Sequence, residues 1–196
     1  MICERGYEAT SIQEIANACG LTKAGLYHHI RSKEQLLVEI MNRGLDLFEE
    51  RVLGPVRAIA DPIERLKECM ARSVLMVTRA WSKETMIVLQ EHATLRGEVR
   101  AQINARKKRY VRFLESSFAE AIRDGRLRPV SPKVAAFAFL GTVLWIPQWY
   151  RPDRAISEAQ LVEEMQSLFF GSPERPAMTP AAQGIRGSAA SGAVTT

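Results

Sequence analysis

The chain has 196 residues, 46% of them hydrophobic and 25% charged, with a formal net charge of +5. That is enough chain for one or two small domains with a sizeable core, and the balance excludes a disordered or fibrous protein. No apolar run reaches the roughly 20 residues that span a bilayer, and Cys3, Cys19 and Cys69 have neither the number nor the spacing of a disulfide framework or zinc site.

No signal peptide pattern opens the chain, so a reducing cytosol is the expected compartment. Ser11-Ile12-Gln13-Glu14 is a capping box, S-x-x-E, and predicts a helix start. Ile15, Ala16 and Cys19 form its apolar stripe, and Gly20 ends it. Thr22 caps a second short helix with Leu26 and Ile30 inward, and Leu21 is expected to be buried at the corner. Ser32-Lys33-Glu34-Gln35 is a second box, S-x-x-Q, opening a longer helix that runs to about Leu53 and stops at Gly54-Pro55.

Two short helices joined by a glycine turn have the geometry of a helix-turn-helix, whose second helix enters the DNA major groove. Lys23, Gly25, Tyr27, His28 and His29 lie on the outer side of that helix and are residue types compatible with DNA. An ordinary helical hairpin with a solvated face is the competing reading.

Asp61-Pro62-Ile63-Glu64 opens a helix to about Thr78 with Ile63, Leu66, Met70, Val74 and Val77 inward. Ser82 caps a shorter helix carrying Met86, Ile87 and Leu89, with His92 near its end. The longest helix runs from about Gly97 to Arg123, and between Arg96 and Arg128 ten Arg or Lys face four Asp or Glu, including Arg106-Lys107-Lys108-Arg109. Such a run reads as a solvated face or as a phosphate-binding strip.

Ser131-Pro132 opens a helix so apolar that it must be covered on more than one side, and Pro147 is expected to bend or end it. Ser157-Glu158-Ala159-Gln160 is a last capping box, and Gly171 stops that helix. Residues 172–196, rich in Ser, Ala, Gly, Pro and Thr, read as a disordered tail. The fold class expected is all-α: a head over residues 1–45, a helical body over 46–171 and the tail.

Catalysis is not expected. The three histidines stand outside any E-x-x-H, H-E-x-x-H or G-x-S-x-G motif, and no metal or cofactor is implied.

The segment Gly6-Tyr7-Glu8-Ala9-Thr10-Ser11-Ile12, then Ile15-Ala16, Gly20-Leu21-Thr22, Gly25-Leu26-Tyr27 with His29, and Ser32 to Leu37 resembles the DNA-binding head of TetR-family transcriptional regulators. The resemblance implies a homodimer that pairs its last two helices in an intermolecular four-helix bundle, and a palindromic operator released by an effector. It implies base or near-base contacts for Gln13, Lys23, Gly25 and Tyr27, and phosphate contacts for Ser11, Thr22, His29 and Lys33. In that family a full helix precedes the Gly-Tyr segment, whereas Met1 to Arg5 supplies only its last turn. A dimeric helical ligand-binding module with impaired DNA binding is therefore the alternative.

Leu89 to Leu95, the basic helix and Trp145 to Asp153 resemble, more loosely, a subgroup that senses acyl-CoA thioesters in lipid or steroid catabolism. On that basis Met70, Trp81, Met86, His92, Phe137 and Trp145 are candidate pocket residues, with Met76 and Trp149 beside them. Arg106, Lys107 and Arg109 are candidate contacts for coenzyme A phosphates. Plain core packing is the competing reading of the apolar set.

Overall fold

The computed structural model describes residues 1–79, 87, 94–151 and 156–171, apart from the side chains of residues 3 and 4. Every regular element among them is helical: α1 (Ile2–Arg5), α2 (Ile12–Ala18), α3 (Lys23–Tyr27), α4 (Lys33–Phe48), a π turn (Glu49–Leu53), α5 (Gly54–Arg57), α6 (Pro62–Thr78), α7 (Gly97–Arg123), α8 (Pro132–Trp149) and α9 (Glu158–Phe170). The expected Ser82 helix and the tail lie outside the described residues.

The caps follow the local chemistry closely. Glu14 N–H donates to Ser11 Oγ over 3.2 Å while Ser11 N–H donates to Glu14 Oε2 over 2.8 Å, which completes the first box. Asp61 Oδ1 accepts from the N–H groups of Ile63 and Glu64, both over 2.9 Å. The other two boxes are only half formed. Ser32 Oγ accepts from Gln35 N–H, but the Gln35 side chain accepts from Arg31 N–H, one residue further back. Ser157 Oγ accepts from Gln160 N–H, and the Gln160 amide turns forward to Glu164. Ser131 caps α8 by position with no side-chain hydrogen bond.

Gly54-Pro55 does not stop the connecting helix, which passes through it into α5. Pro55 has no N–H to donate to the carbonyl four residues back, that of Arg51, and its ring crowds that carbonyl. The backbone widens here into the π turn, with Gly54 N–H bonded to Glu49 O, and Arg72 Nη1 donates to the Arg51 carbonyl over 3.1 Å. Pro147 likewise sits inside α8, which ends two residues later.

In the body, α6 packs against α5, α7, α8 and α9. Leu66, Cys69, Met70 and Val74 are fully buried on it, and a buried aliphatic side chain of this size contributes about 1.5–3 kcal/mol of hydrophobic stabilisation. Ser73 Oγ and Cys69 Sγ flank the buried Tyr110 hydroxyl at 3.2 Å and 3.6 Å, so this polar group keeps partners inside the core. Burial pushes the Cys69 thiol up to about 11, which leaves it protonated and inert.

A second cluster joins head to body. Leu37 and Met41 of α4 meet Ile2, Ile87, Leu95 and Ile103, with Val99 packed against them. No helix among the described residues is long and apolar enough to cross a membrane.

Candidate nucleic-acid interface

The head is held by a small core of Ala16, Leu26 and Ile30, backed by Ile12, Ile15 and Leu36. Gly20 adopts φ +68° at the end of α2, the left-handed turn that only glycine takes at no steric cost, and Leu21 N–H returns to the Ala16 carbonyl. Leu21 itself is 37% exposed and so is not the buried corner residue expected. Ala16, Leu26 and Ile30 already fill the space between the two helices.

Burying Leu26 fixes the opposite side of α3 outward. Lys23, Tyr27, His28 and His29 are exposed, Tyr27 by 45%, and Gly25 sits among them half-buried. A Cβ on Gly25 would stand 3.2 Å from Thr22 Oγ1, which already accepts the Gly25 N–H over 2.9 Å, so this position favours the residue with no side chain. Between Gly20 and Lys33 the chain carries Lys23, Arg31 and Lys33 and no carboxylate.

Ser11 and Thr22 are exposed, and each uses an oxygen lone pair for capping, which leaves its O–H to donate to a phosphate. Gln13 is exposed and donates to Asn17 over 2.8 Å. Lys33 places Nζ 4.1 Å from the Tyr7 ring centroid and 3.5 Å from the Glu8 carbonyl, so the preceding loop orients its ammonium. Thr10, almost wholly buried, ties the same loop by donating Oγ1–H to the Gly6 carbonyl. That role was not visible in the pattern, because a threonine in a polar loop carries no periodic signal. Gln13 of α2 and Lys23 and Tyr27 of α3 are thus exposed together on two helices that pack against each other.

Residues 1–40 match the bacterial regulatory proteins of the tetR family, and residues 60–172 match the tetracyclin repressor-like C-terminal domain. The chain belongs to the TetR family.

Two relatives are similar over most of their length. The crystal structure of AibR in complex with isovaleryl coenzyme A and operator DNA has 59% sequence identity and a TM-score of 0.84, with 87% of this chain and 92% of that one covered. The HTH-type transcriptional repressor KstR2 of Mycobacterium tuberculosis is 27% identical over 173 residues, 87% of this chain and 86% of that protein. The structure of the same ketosteroid regulator superposes with a TM-score of 0.79 at 25% identity, covering 87% of this chain and 88% of that one. TetR proteins are transcriptional regulators and not enzymes.

In this TetR body the remaining candidate residues scatter. Met70 and Met76 are buried in the main core. Phe137, Trp145 and Trp149 are instead 52%, 65% and 47% exposed. They form an outer stripe of α8 with Val134 and Gly141, and do not line the interior of this chain. An all-round apolar helix gives no phase from sequence, so inner and outer positions look alike. Trp81, Met86 and His92 lie outside the described residues.

Along the basic run on α7 the three candidate phosphate contacts have different surroundings. Arg106 turns to α4, where Nη1 donates to Asn42 Oδ1 over 3.1 Å and Nη2 to Asp46 Oδ1 over 2.5 Å. Lys107 is half-buried, and this burial pushes its ammonium below the ordinary lysine value. Arg109 is exposed. The run is in part a fastening between body and head, through the helix that carries the head.

Proposed function

We propose that this TetR protein is a homodimeric cytoplasmic repressor whose grip on a roughly palindromic operator is weakened by an acyl-CoA effector. The observation that carries the reading is the 59% identity, over 87% of the chain, to AibR, whose structure holds isovaleryl coenzyme A and operator DNA. In this reading residues 1–45 read DNA and residues 46–171 bind effector and dimerise. Gln13, Lys23, Gly25 and Tyr27 meet bases or their edges, while Ser11, Thr22, His29 and Lys33 hold phosphates.

A second copy supplies the cover for α8. Val134, Phe137, Trp145 and Trp149 of α8, and Leu168 of α9 at 79% exposure, are large apolar side chains that a single chain leaves in water. Pairing two such chains across a two-fold axis forms a four-helix bundle and places two α3 helices for successive major grooves.

The AibR structure holds effector and operator DNA together, so the two are not mutually exclusive there, and in this reading the effector works through a change in affinity and not by excluding DNA. A coupling free energy of typically 1–3 kcal/mol corresponds to a change of about 5–150-fold. The test is a mobility-shift titration on the DNA flanking its own gene, with and without isovaleryl-CoA. A specific shift weakened by the thioester is expected. No shift on any flanking fragment refutes the repressor reading, and an unchanged affinity with bound thioester refutes the release step.

A further inference from the structure

Beside the π turn lies an open groove of about 360 Å³, walled by Glu50, Arg51, Arg72, Leu75, Met76 and Arg79. Its lining includes three arginines, none of which belongs to the Arg106 to Arg109 run. Leu75 and the almost wholly buried Met76 are the apolar part of the lining.

Arg72 and Arg79 are positioned, yet not used up. Arg72 spends Nε–H on Glu68 over 2.8 Å and one Nη1 hydrogen on the Arg51 carbonyl. Arg79 spends Nε and Nη2 on Glu158, at 3.1 Å and 3.0 Å. A guanidinium has five N–H donors in a fixed fork, so each keeps hydrogens directed elsewhere, and Arg79 is half exposed toward solvent. Carboxylate pairing also holds the side chains in place, which lowers the entropy lost on capturing an anion.

We propose that this groove seats the phosphate groups of the effector, with the apolar lining receiving the start of its pantetheine arm. The assignment rests on the acyl-CoA reading above. Forked guanidinium groups match phosphate oxygens in pairs, and Leu75 and Met76 suit an aliphatic chain. Glu50 is the repelling member of the wall and limits affinity.

The same groove is mechanically joined to the head. Arg72 holds the carbonyl that Pro55 leaves without its helical partner, so a phosphate that draws the Arg72 fork toward the groove competes directly with the π turn. The π turn continues α4, which carries the head. Phosphate capture therefore biases the joint whose shape sets head spacing.

Isothermal titration with isovaleryl-CoA, and separately with adenosine 3′,5′-bisphosphate, tests this on the wild-type dimer and on R79Q, R72K and E50Q. Circular dichroism melts confirm that each variant is folded. R79Q and R72K are expected to weaken isovaleryl-CoA about tenfold or more, the usual cost of a lost charge-assisted contact. E50Q is expected to tighten it, and the bisphosphate is expected to bind weakly and respond in the same order. Tight binding of isovaleryl-CoA by wild type with all three variants unchanged overturns the groove as its phosphate seat. Absence of binding by wild type overturns the acyl-CoA reading itself.

Discussion

Leu37 is where the head and the body share one core, and its truncation tests whether they behave as one unit. The side chain is fully buried among Ile2, Met41, Ile87, Leu95 and Ile103, residues drawn from both parts. Replacing Leu37 with alanine removes roughly three buried carbon groups at about 0.8 kcal/mol each. Incomplete collapse of the cavity raises the total to about 3–4 kcal/mol. In a protein of this size that lowers Tm by roughly 10 °C. Leu36, its neighbour, packs instead on the small core of the head, so Leu36→Ala is the matched control. Thermal and urea melts are expected to show Leu37→Ala shifting the whole transition, and mobility shifts to show its DNA affinity responding less to effector. Leu36→Ala is expected to weaken DNA binding while leaving the body's melt nearly unchanged. A Leu37→Ala melt within about 0.5 kcal/mol of wild type, the range of ordinary surface changes, refutes the shared core.

The Arg106 link to Asn42 and Asp46 is partly exposed, Asp46 by 58%, so a double-mutant cycle of Arg106→Met with Asp46→Asn should give a coupling of only about 0.5–1 kcal/mol. A coupling indistinguishable from zero shows that the contact does not fasten α7 to α4. Trp145→Glu buries a charge in the apolar face if a second copy covers it, and light scattering should then report monomers; an unchanged dimer assigns the interface elsewhere. The Thr78 hydroxyl, and after it Arg79, holds the Glu158 carboxyl below its ordinary value, and the Glu64 N–H, followed by Arg126, does the same for Asp61. Groups depressed in the folded state stabilise it above their unfolded values near ~4 and lose that stabilisation as pH falls through the folded ones. Urea midpoints should therefore hold between neutral pH and about pH 5 and fall below ~4, with Glu158→Gln flattening the fall; a midpoint that rises on acidification contradicts this.

Much of the architecture was legible because capping is local. Ser11, Thr22, Ser32, Asp61 and Ser157 each accept a backbone N–H two or three residues ahead, a geometry written entirely in adjacent sequence. The same locality explains the misses. Gly54-Pro55 reads as a stop because the missing N–H of Pro55 is visible in sequence, whereas its remedy comes from Arg72, 21 residues from the carbonyl it serves. Leu21 was misplaced since a turn between helices gives no periodic face.

The family resemblance came from a dense run of matching positions in the head. The basic run at Arg106 and the aromatics of α8 could not be assigned in the same way. Charge and hydrophobicity name what a residue prefers, but its partner depends on which helix crosses it, and that is a matter of packing between elements far apart in the chain. By itself, then, the sequence determined the helices, their caps and the outward side of α3, all consequences of backbone hydrogen bonding and a 3.6-residue period. Only the tertiary structure decided that Arg106 binds α4, that Phe137 and Trp145 face outward, and that Arg51, Arg72 and Arg79 share a groove. Those relations come from helix crossings, which bring together residues that no sequence spacing connects.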